Sequence, residues 1–289
     1  MEDLEHSNKQ EAIVSARELD EKSYNQFRTF LEQQCGIVLG ENKQYLVKSR
    51  LAPLMAKFKL DSLGELVNRT LTPVERQMRA AVIDAMTTNE TLWFRDDYPF
   101  KLLQSKLLPD FANRKTPVKI WSAASSSGQE PYSIAMSVLE YQQKNPGAFP
   151  RGVQVIGTDI STTMLDHCKY GHYDNLALAR GLSAERKQKF FETGDNGMLK
   201  IKDQVKKMVS FRPLNLLNSY SLMGRFDIVF CRNVLIYFSP EIKAQIISQI
   251  HGVLNNDGYL FLGASESLSG INQDFTMLRC NPGIVYQKK

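Results

Sequence analysis

The sequence predicts an α/β fold: a mostly parallel sheet covered by helices, closed by an antiparallel hairpin and preceded by a small all-helical module. Three observations carry this. From Ser23 to about Met86 the apolar residues recur at helical spacing, with no strand-like alternation. After about residue 115, short runs of branched and aromatic residues alternate with helix-like stretches, the pattern of a parallel sheet with helices on both faces. The last two apolar runs, 275–280 and 283–287, flank Asn281-Pro282 and read as a hairpin.

Taken in order, residues 1–20 are polar and charged without an apolar period, and are expected to form a flexible tail. A helical domain is expected over 21–90. Phe27, Phe30 and Leu31 share one face of a helix, as do Leu63, Leu66 and Val67. Asp61-Ser62 reads as one helix start and Thr72-Pro73 with Glu75 as another. The α/β domain, 91–289, has candidate strands VKIWSA (118–123), VQVIGTDI (153–160), MVSFRPLNL (208–216), FDIVFC (226–231) and YLFLGAS (259–265). Helices are expected between most of them, for example Tyr132–Gln142 and Pro240–Leu254. A stretch at about 183–210 breaks the alternation: a Gly-rich turn, Thr193 to Gly197, and the alternating MLKIKDQVKKMV predict a small β insertion.

Composition excludes several classes. With 43% hydrophobic and 23% charged residues in 289, disorder and disulfide scaffolds drop out. The four cysteines, Cys35, Cys168, Cys231 and Cys280, form no CxxC pair, so neither zinc nor redox chemistry is indicated and they are expected to be reduced. The N-terminal stretch lacks the apolar core of a signal peptide, and the most apolar run, 226–238, is interrupted by Asp227, Arg232 and Asn233. The expectation is a soluble, cytoplasmic protein. A net charge of +5 permits an acidic partner without demanding nucleic acid.

In open α/β sheets ligands bind beyond the carboxyl ends of the strands. Four polar groups are predicted there. WSAASSSGQEPYS (121–133) offers small residues that let backbone N–H groups approach a ligand, with Glu130 beside the next helix start. An ordinary capped turn would look similar, and the single Gly128 is no GxGxxG. Asp159, ending the second strand, could grip ribose hydroxyls or merely cap the following helix. Asn215 could meet an adenine edge with Leu216 against the ring, or simply form a turn. Arg232-Asn233 ends an apolar strand and needs partners, which a structural salt bridge would also supply. Tyr237 alone reads as core. These residues by themselves indicate a Rossmann-like, nucleotide-cofactor enzyme with a helical addition.

Together with TTNETLWFR (87–95), GTDIS (157–161), LNLL (214–217) and CRNVLIYF (231–238), the order and spacing resemble the chemotaxis receptor methyltransferase (CheR) family, over nearly everything after the polar tail. One departure is Gln129, where the family usually has a second acid. The resemblance implies a class I methyltransferase sheet and an S-adenosylmethionine-dependent enzyme esterifying glutamates of chemoreceptors for adaptation in bacterial chemotaxis. It implies S-adenosylhomocysteine as product and no metal. Cofactor contacts carry over onto Asn89, Thr91, Arg95, Glu130, Asp159, Asn215, Leu216 and Asn233. Arg95 and Tyr237 are the implied catalytic residues, orienting a substrate carboxylate roughly 3–3.5 Å from the methyl carbon.

The resemblance also gives Lys43, Arg50 and Lys57, repeating every seven residues with Lys48 and Lys59 nearby, a purpose. Otherwise a solvated charged face, this stripe becomes a docking surface for the acidic methylation region of receptors. The short turn of the β insertion argues against dependence on a receptor's C-terminal pentapeptide tether. A monomer is expected, with no nucleic acid partner and no membrane insertion. Two rival readings are a methyltransferase of another substrate and a non-catalytic cofactor-binding scaffold. Against a nucleic acid amino-methylase, residues 232–235 are Arg-Asn-Val-Leu, not an Asn/Asp-Pro-Pro-aromatic run.

Overall fold

The computed structural model describes residues 19–289. All but the last two residues of the expected tail lie outside the described residues. The chain divides into two compact units, up to Thr88 and from Asn89.

The first unit contains α1 (Glu21–Cys35), α2 (Gln44–Phe58), α3 (Leu63–Leu71) and α4 (Arg76–Met86). The apolar residues picked out by spacing are its core: Phe27, Phe30, Leu31, Leu63, Leu66 and Val67 are all buried. Asp20 caps α1 by accepting from Ser23 N at 2.9 Å, and Ser62 caps α3 by accepting from Glu65 N at 3.1 Å. The start expected at Thr72-Pro73 lies further on. Glu75 does not cap, because its carboxylate takes both Arg69 Nε (3.0 Å) and Nη2 (2.6 Å), and Thr72–Glu75 forms a turn ahead of α4. Helix α2 runs through Pro53 without being split.

The second unit begins with a composite helix, α5, in three segments: Tyr98–Leu102, a π-helical Leu103–Leu107, and Leu108–Phe111. There follow β1 (Val118–Ala123), α6 (Gln129–Lys144), β2 (Val153–Asp159), α7 (Thr162–Tyr170), β3 (His172–Tyr173), α8 (Asn175–Ala179), α9 (Ala184–Phe190), β4 (Phe191–Thr193), β5 (Leu199–Ile201), α10 (Asp203–Lys206), β6 (Val209–Pro213), β7 (Phe226–Cys231), α11 (Pro240–Val253), β8 (Leu254–Leu262), β9 (Phe275–Arg279) and β10 (Ile284–Lys288). The seven-stranded sheet has the order β6-β2-β1-β7-β8-β10-β9. Its first five strands are parallel, β10 runs antiparallel to β8, and β9 antiparallel to β10. This is the class I methyltransferase arrangement.

Period-two alternation feeds two cores. Val118 and Ile120 of β1 join one, with Tyr132, Ile134 and Val138 of α6. Trp121 and Ala123 join the other, with Ile246, Ile247 and Ile250 of α11. With both faces covered, β7 is buried at every position, which explains an apolar run broken only by Asp227, whose carboxylate is paired with Arg114 and Asn255.

The β insertion is a separate antiparallel sheet of order β3-β5-β4. The expected range of 183–210 omits β3, whose two residues are too few for alternation to show. Gly181 lies beside this insertion at φ +93°, and a Cβ there would sit 2.1 Å from the carbonyl oxygen of Trp93. Only glycine lets these two backbones meet so closely.

Candidate functional site

Parallel register sets the strand ends level: Ala123 of β1 is paired with Thr158 of β2 and Cys231 of β7, and Asp159 with Pro213 of β6. The polar residues singled out from sequence follow these ends.

Asp159 is 5% exposed, and its two oxygens are held by backbone amides. Oδ2 accepts from Ser126 N at 2.7 Å and Oδ1 from Ser161 N at 2.9 Å. It does not cap α7; Ser161 does, accepting from Met164 N at 3.0 Å. The carboxylate is therefore fixed across the ends of β1 and β2. Each oxygen can accept two bonds, so an aimed carboxylate of this kind still suits a pair of hydroxyls. The loop between β1 and α6 wraps the same point, with Ala124 at φ 56° and Ser126 at φ 48°. Such left-handed non-glycine residues cost free energy and cluster at functional sites.

Glu130, in the first turn of α6, accepts from Ser122 Oγ at 2.8 Å and from Arg232 Nη1 at 2.9 Å. Arg232 is almost wholly buried, and its Nη2 also donates to Asp96 Oδ2 (2.6 Å) and to the carbonyl oxygen of Arg95 (2.9 Å). Two carboxylates thus share one guanidinium, an excess of one acid over the single base. The structural salt bridge weighed for Arg232 is what the structure contains. It ties together the end of β7, the start of α6 and the segment carrying Arg95.

That segment is unusual in its backbone: Phe94, Asp96 and Asp97 all have positive φ, at 47°, 64° and 52°. It is pinned where Phe94 N donates to Ser133 Oγ (3.1 Å) and Trp93 N to the carbonyl oxygen of Arg180 (3.1 Å). Arg95 itself is half-buried, and Nη1 donates to the carbonyl oxygen of Glu90 at 3.2 Å. A hydrogen bond from Arg180 holds the Glu90 carboxyl below the usual carboxylate range. Upstream, Asn89 accepts from Ser126 Oγ at 2.8 Å through its main-chain oxygen, which brings the segment's start to the β1 loop. Thr91 lies half-buried between them.

At the end of β6, Asn215 Oδ1 accepts from Leu217 N at 3.0 Å, an Asx turn. Leu216 is buried in the second core with Trp121 and Tyr220. After β7, Asn233 adopts φ 58°, and Tyr237 ends a short 3-10 turn, Leu235–Tyr237, with its ring half-buried. Sequence reasoning missed two residues of this neighbourhood, Asp96 and Glu266. Glu266 follows β8 and receives four backbone amides; the signal available was an acid shortly after the last parallel strand.

In the helical unit Lys43 and Lys57 are exposed. Arg50 has internal work: Nη1 donates to the carbonyl oxygens of Met86 (2.6 Å) and Thr87 (3.1 Å), and Nη2 to Thr88 Oγ1 (2.9 Å), covering the carboxyl end of α4. The four cysteines form no disulfide among the described residues. No helix among those residues is long and apolar enough to cross a membrane.

Family comparisons agree with this geometry. The all-alpha domain of CheR methyltransferases matches residues 22–87, and the CheR methyltransferase SAM binding domain matches residues 89–284. The chain is 59% identical over 276 residues to chemotaxis protein methyltransferase 1 of Vibrio cholerae serotype O1, covering 96% of this chain and 100% of that one. It is 54% identical to chemotaxis protein methyltransferase Cher2 of Pseudomonas putida, covering 92% and 98%. With the chemotaxis protein methyltransferase of Escherichia coli K12 it shares 33% identity, covering 90% and 89%. With both domain models matched in order and relatives alike over nearly their whole length, the chain belongs to the CheR family of S-adenosylmethionine-binding chemotaxis methyltransferases.

Proposed function

We propose that the chain transfers the methyl group of S-adenosylmethionine to glutamate side chains in the cytoplasmic methylation region of chemoreceptors, leaving methyl esters and S-adenosylhomocysteine. The observation that supports this best is the charge at the strand ends. Acids outnumber bases there: Asp159, Glu130, Asp96 and Glu266 against Arg232 and Arg95. That excess of acids complements a cofactor that carries a sulfonium, an ammonium and one carboxylate. The loop between β1 and α6 also holds a buried hydroxyl, Ser125 Oγ, with no hydrogen-bond partner among the described residues. An orphan of this sort suits a ligand atom.

When bound, the cofactor supplies an electrophilic methyl group on a sulfonium. Asp159 would accept from the ribose hydroxyls, and Asn215 with Leu216 would bracket the adenine. Asn89, Thr91 and Asn233 would complete the contacts, with Glu130 toward the ribose or ammonium end. A substrate glutamate, with a reference pKa of about 4.3, is already ionised at neutral pH, so neither a general base nor a metal ion is called for. The protein's task is orientation and exclusion of water. Arg95 and Tyr237 would hold the attacking carboxylate without neutralising it. Tritiated methyl transfer to receptor-containing membranes should give a base-labile product. A base-stable label would overturn ester formation and favour another substrate.

Lys43, Arg50 and Lys57 would dock the acidic receptor helices, in the cytoplasm, with the chain acting as a monomer. Since Arg50 also covers the end of α4, the clean test is Lys43→Glu with Lys57→Glu. This pair should weaken receptor binding several-fold, more at low salt than at high, and leave cofactor affinity unchanged by calorimetry. Loss of cofactor affinity would contradict the division of labour. The turn between β4 and β5 is short, with Gly194 N donating to the carbonyl oxygen of Met198 at 3.0 Å. This favours tether-independent action. Titration with a receptor's C-terminal pentapeptide should show no tight binding, and tight binding would reverse that reading.

A further inference from the structure

We infer that Glu266 is a positioning residue for methyl transfer, holding the turn that carries Asn233 and Tyr237. Its carboxylate is saturated. Oε1 accepts from Val234 N (3.0 Å) and Leu235 N (2.8 Å), while Oε2 accepts from Asn233 N (2.7 Å) and Gly263 N (2.7 Å). A carboxylate offers about four acceptor sites, so all are used and none is left for a substrate or a proton relay. Three of the four donors are consecutive amides leading into the 3-10 turn, a nest that attracts an anion.

The clamp joins the loop after β7 to the loop after β8, and the approach is too close for any side chain at Gly263. A Cβ there would lie 2.7 Å from both Asn233 Nδ2 and Glu266 Oε2, and 2.8 Å from Asn233 N. Asn233 meanwhile sits at φ 58°, a conformation its surroundings must hold. Glu266 is the acceptor found for the amides of Asn233, Val234 and Leu235 among the described residues, and without it the turn would relax. Tyr237 would then drift, and a displacement of about 1 Å at a reacting group can cost on the order of a hundredfold in rate.

The inference rests on the catalytic role proposed above for Tyr237, so its test has an arm independent of that role. Glu266→Gln places an NH2 group against two N–H donors, whereas Glu266→Asp keeps both acceptor oxygens on a shorter arm. In the full chain, hydrogen exchange at the amides of Asn233, Val234 and Leu235 should quicken at least about tenfold in the Gln variant, and less in the Asp variant. Exchange in the body of β7 should not change. At saturating cofactor, kcat for methyl transfer should fall about tenfold to a hundredfold in the Gln variant, with partial recovery in the Asp variant. Combined with Tyr237→Phe, the Gln change should add little beyond the larger single loss. Unchanged exchange at the three amides overturns the clamp. Faster exchange with wild-type kcat and cofactor KM, or losses that multiply in the double variant, overturns the positioning role. If the Gln variant does not fold, the Asp variant alone decides by the same two readouts. Should the unaltered chain transfer no methyl group to receptors, the proposed function fails, and the exchange arm still judges the clamp.

Discussion

Arg95→Ala is expected to cut methyl transfer by well over tenfold while leaving the fold intact. The side chain is half-buried, and the one hydrogen bond it makes among the described residues, to the carbonyl oxygen of Glu90, is long at 3.2 Å. Removing it should cost folding stability no more than about 1 kcal/mol. Its main chain, by contrast, is fixed: the carbonyl oxygen accepts from buried Arg232, and the neighbouring residues are held in left-handed backbone. On the role proposed for it, a guanidinium on so rigid a mount would orient a carboxylate bidentately. An effect of more than tenfold corresponds to about 1.4 kcal/mol or more of lost transition-state stabilisation. The loss should appear in kcat/KM for the receptor, with a thermal midpoint close to that of the unaltered chain. Arg95→Lys should recover little, since an ammonium cannot make the planar two-point contact. Turnover like that of the unaltered chain in Arg95→Ala would remove Arg95 from the catalytic assignment.

The fold was readable because its two periodicities are clean. Phe27, Phe30 and Leu31 could only share a face if the segment were helical, and they are buried together. Strands β1 and β7 were found to the residue, since burial on both faces makes each a short run of mostly apolar residues. Where local signals competed, sequence reading slipped. Pro73 promised a helix start that the Arg69–Glu75 ion pair displaces, and β3 is a strand only because β5 lies beside it.

The site divides along the same line. That Asp159 and Glu130 sit at strand ends follows from order along the chain. Their partners do not: Ser126, and Arg232 with its own second partner Asp96, come from other segments, and ion pairing across 102 and 136 residues leaves no periodic trace. Capping and ligand binding also use the same residue types, so only geometry could assign the cap of α7 to Ser161 and release Asp159 from it. Glu266, an acid after the last parallel strand, was hard to single out for a related reason. Its partners are backbone amides, which every residue possesses.

Arg232 carries the largest expected effect on stability. Its side chain is 1% exposed, against 13% for Glu130 and 32% for Asp96. Arg232→Met fills much of the same volume but leaves Glu130 a largely buried carboxylate with only Ser122 to answer it. Breaking one side of such a pair typically costs about 3–5 kcal/mol, most of it the penalty of an uncompensated charge. The chain has two tryptophans, Trp93 and Trp121, both in the larger unit, so urea unfolding followed by their fluorescence reports that unit directly. If the penalty is the stranded charge, Arg232→Met with Glu130→Gln should recover a good part of it, because a neutral amide costs far less to bury. The double variant should still bind the cofactor poorly, since the Glu130 carboxylate proposed to face its ribose or ammonium end is gone, although Asp96 keeps the net charge of the cluster unchanged. A single-variant loss below about 1 kcal/mol would mean the cluster is solvated in practice and contributes no more than a surface pair. Recovery of stability together with full cofactor affinity would separate the cluster from the cofactor site and assign it to the fold alone.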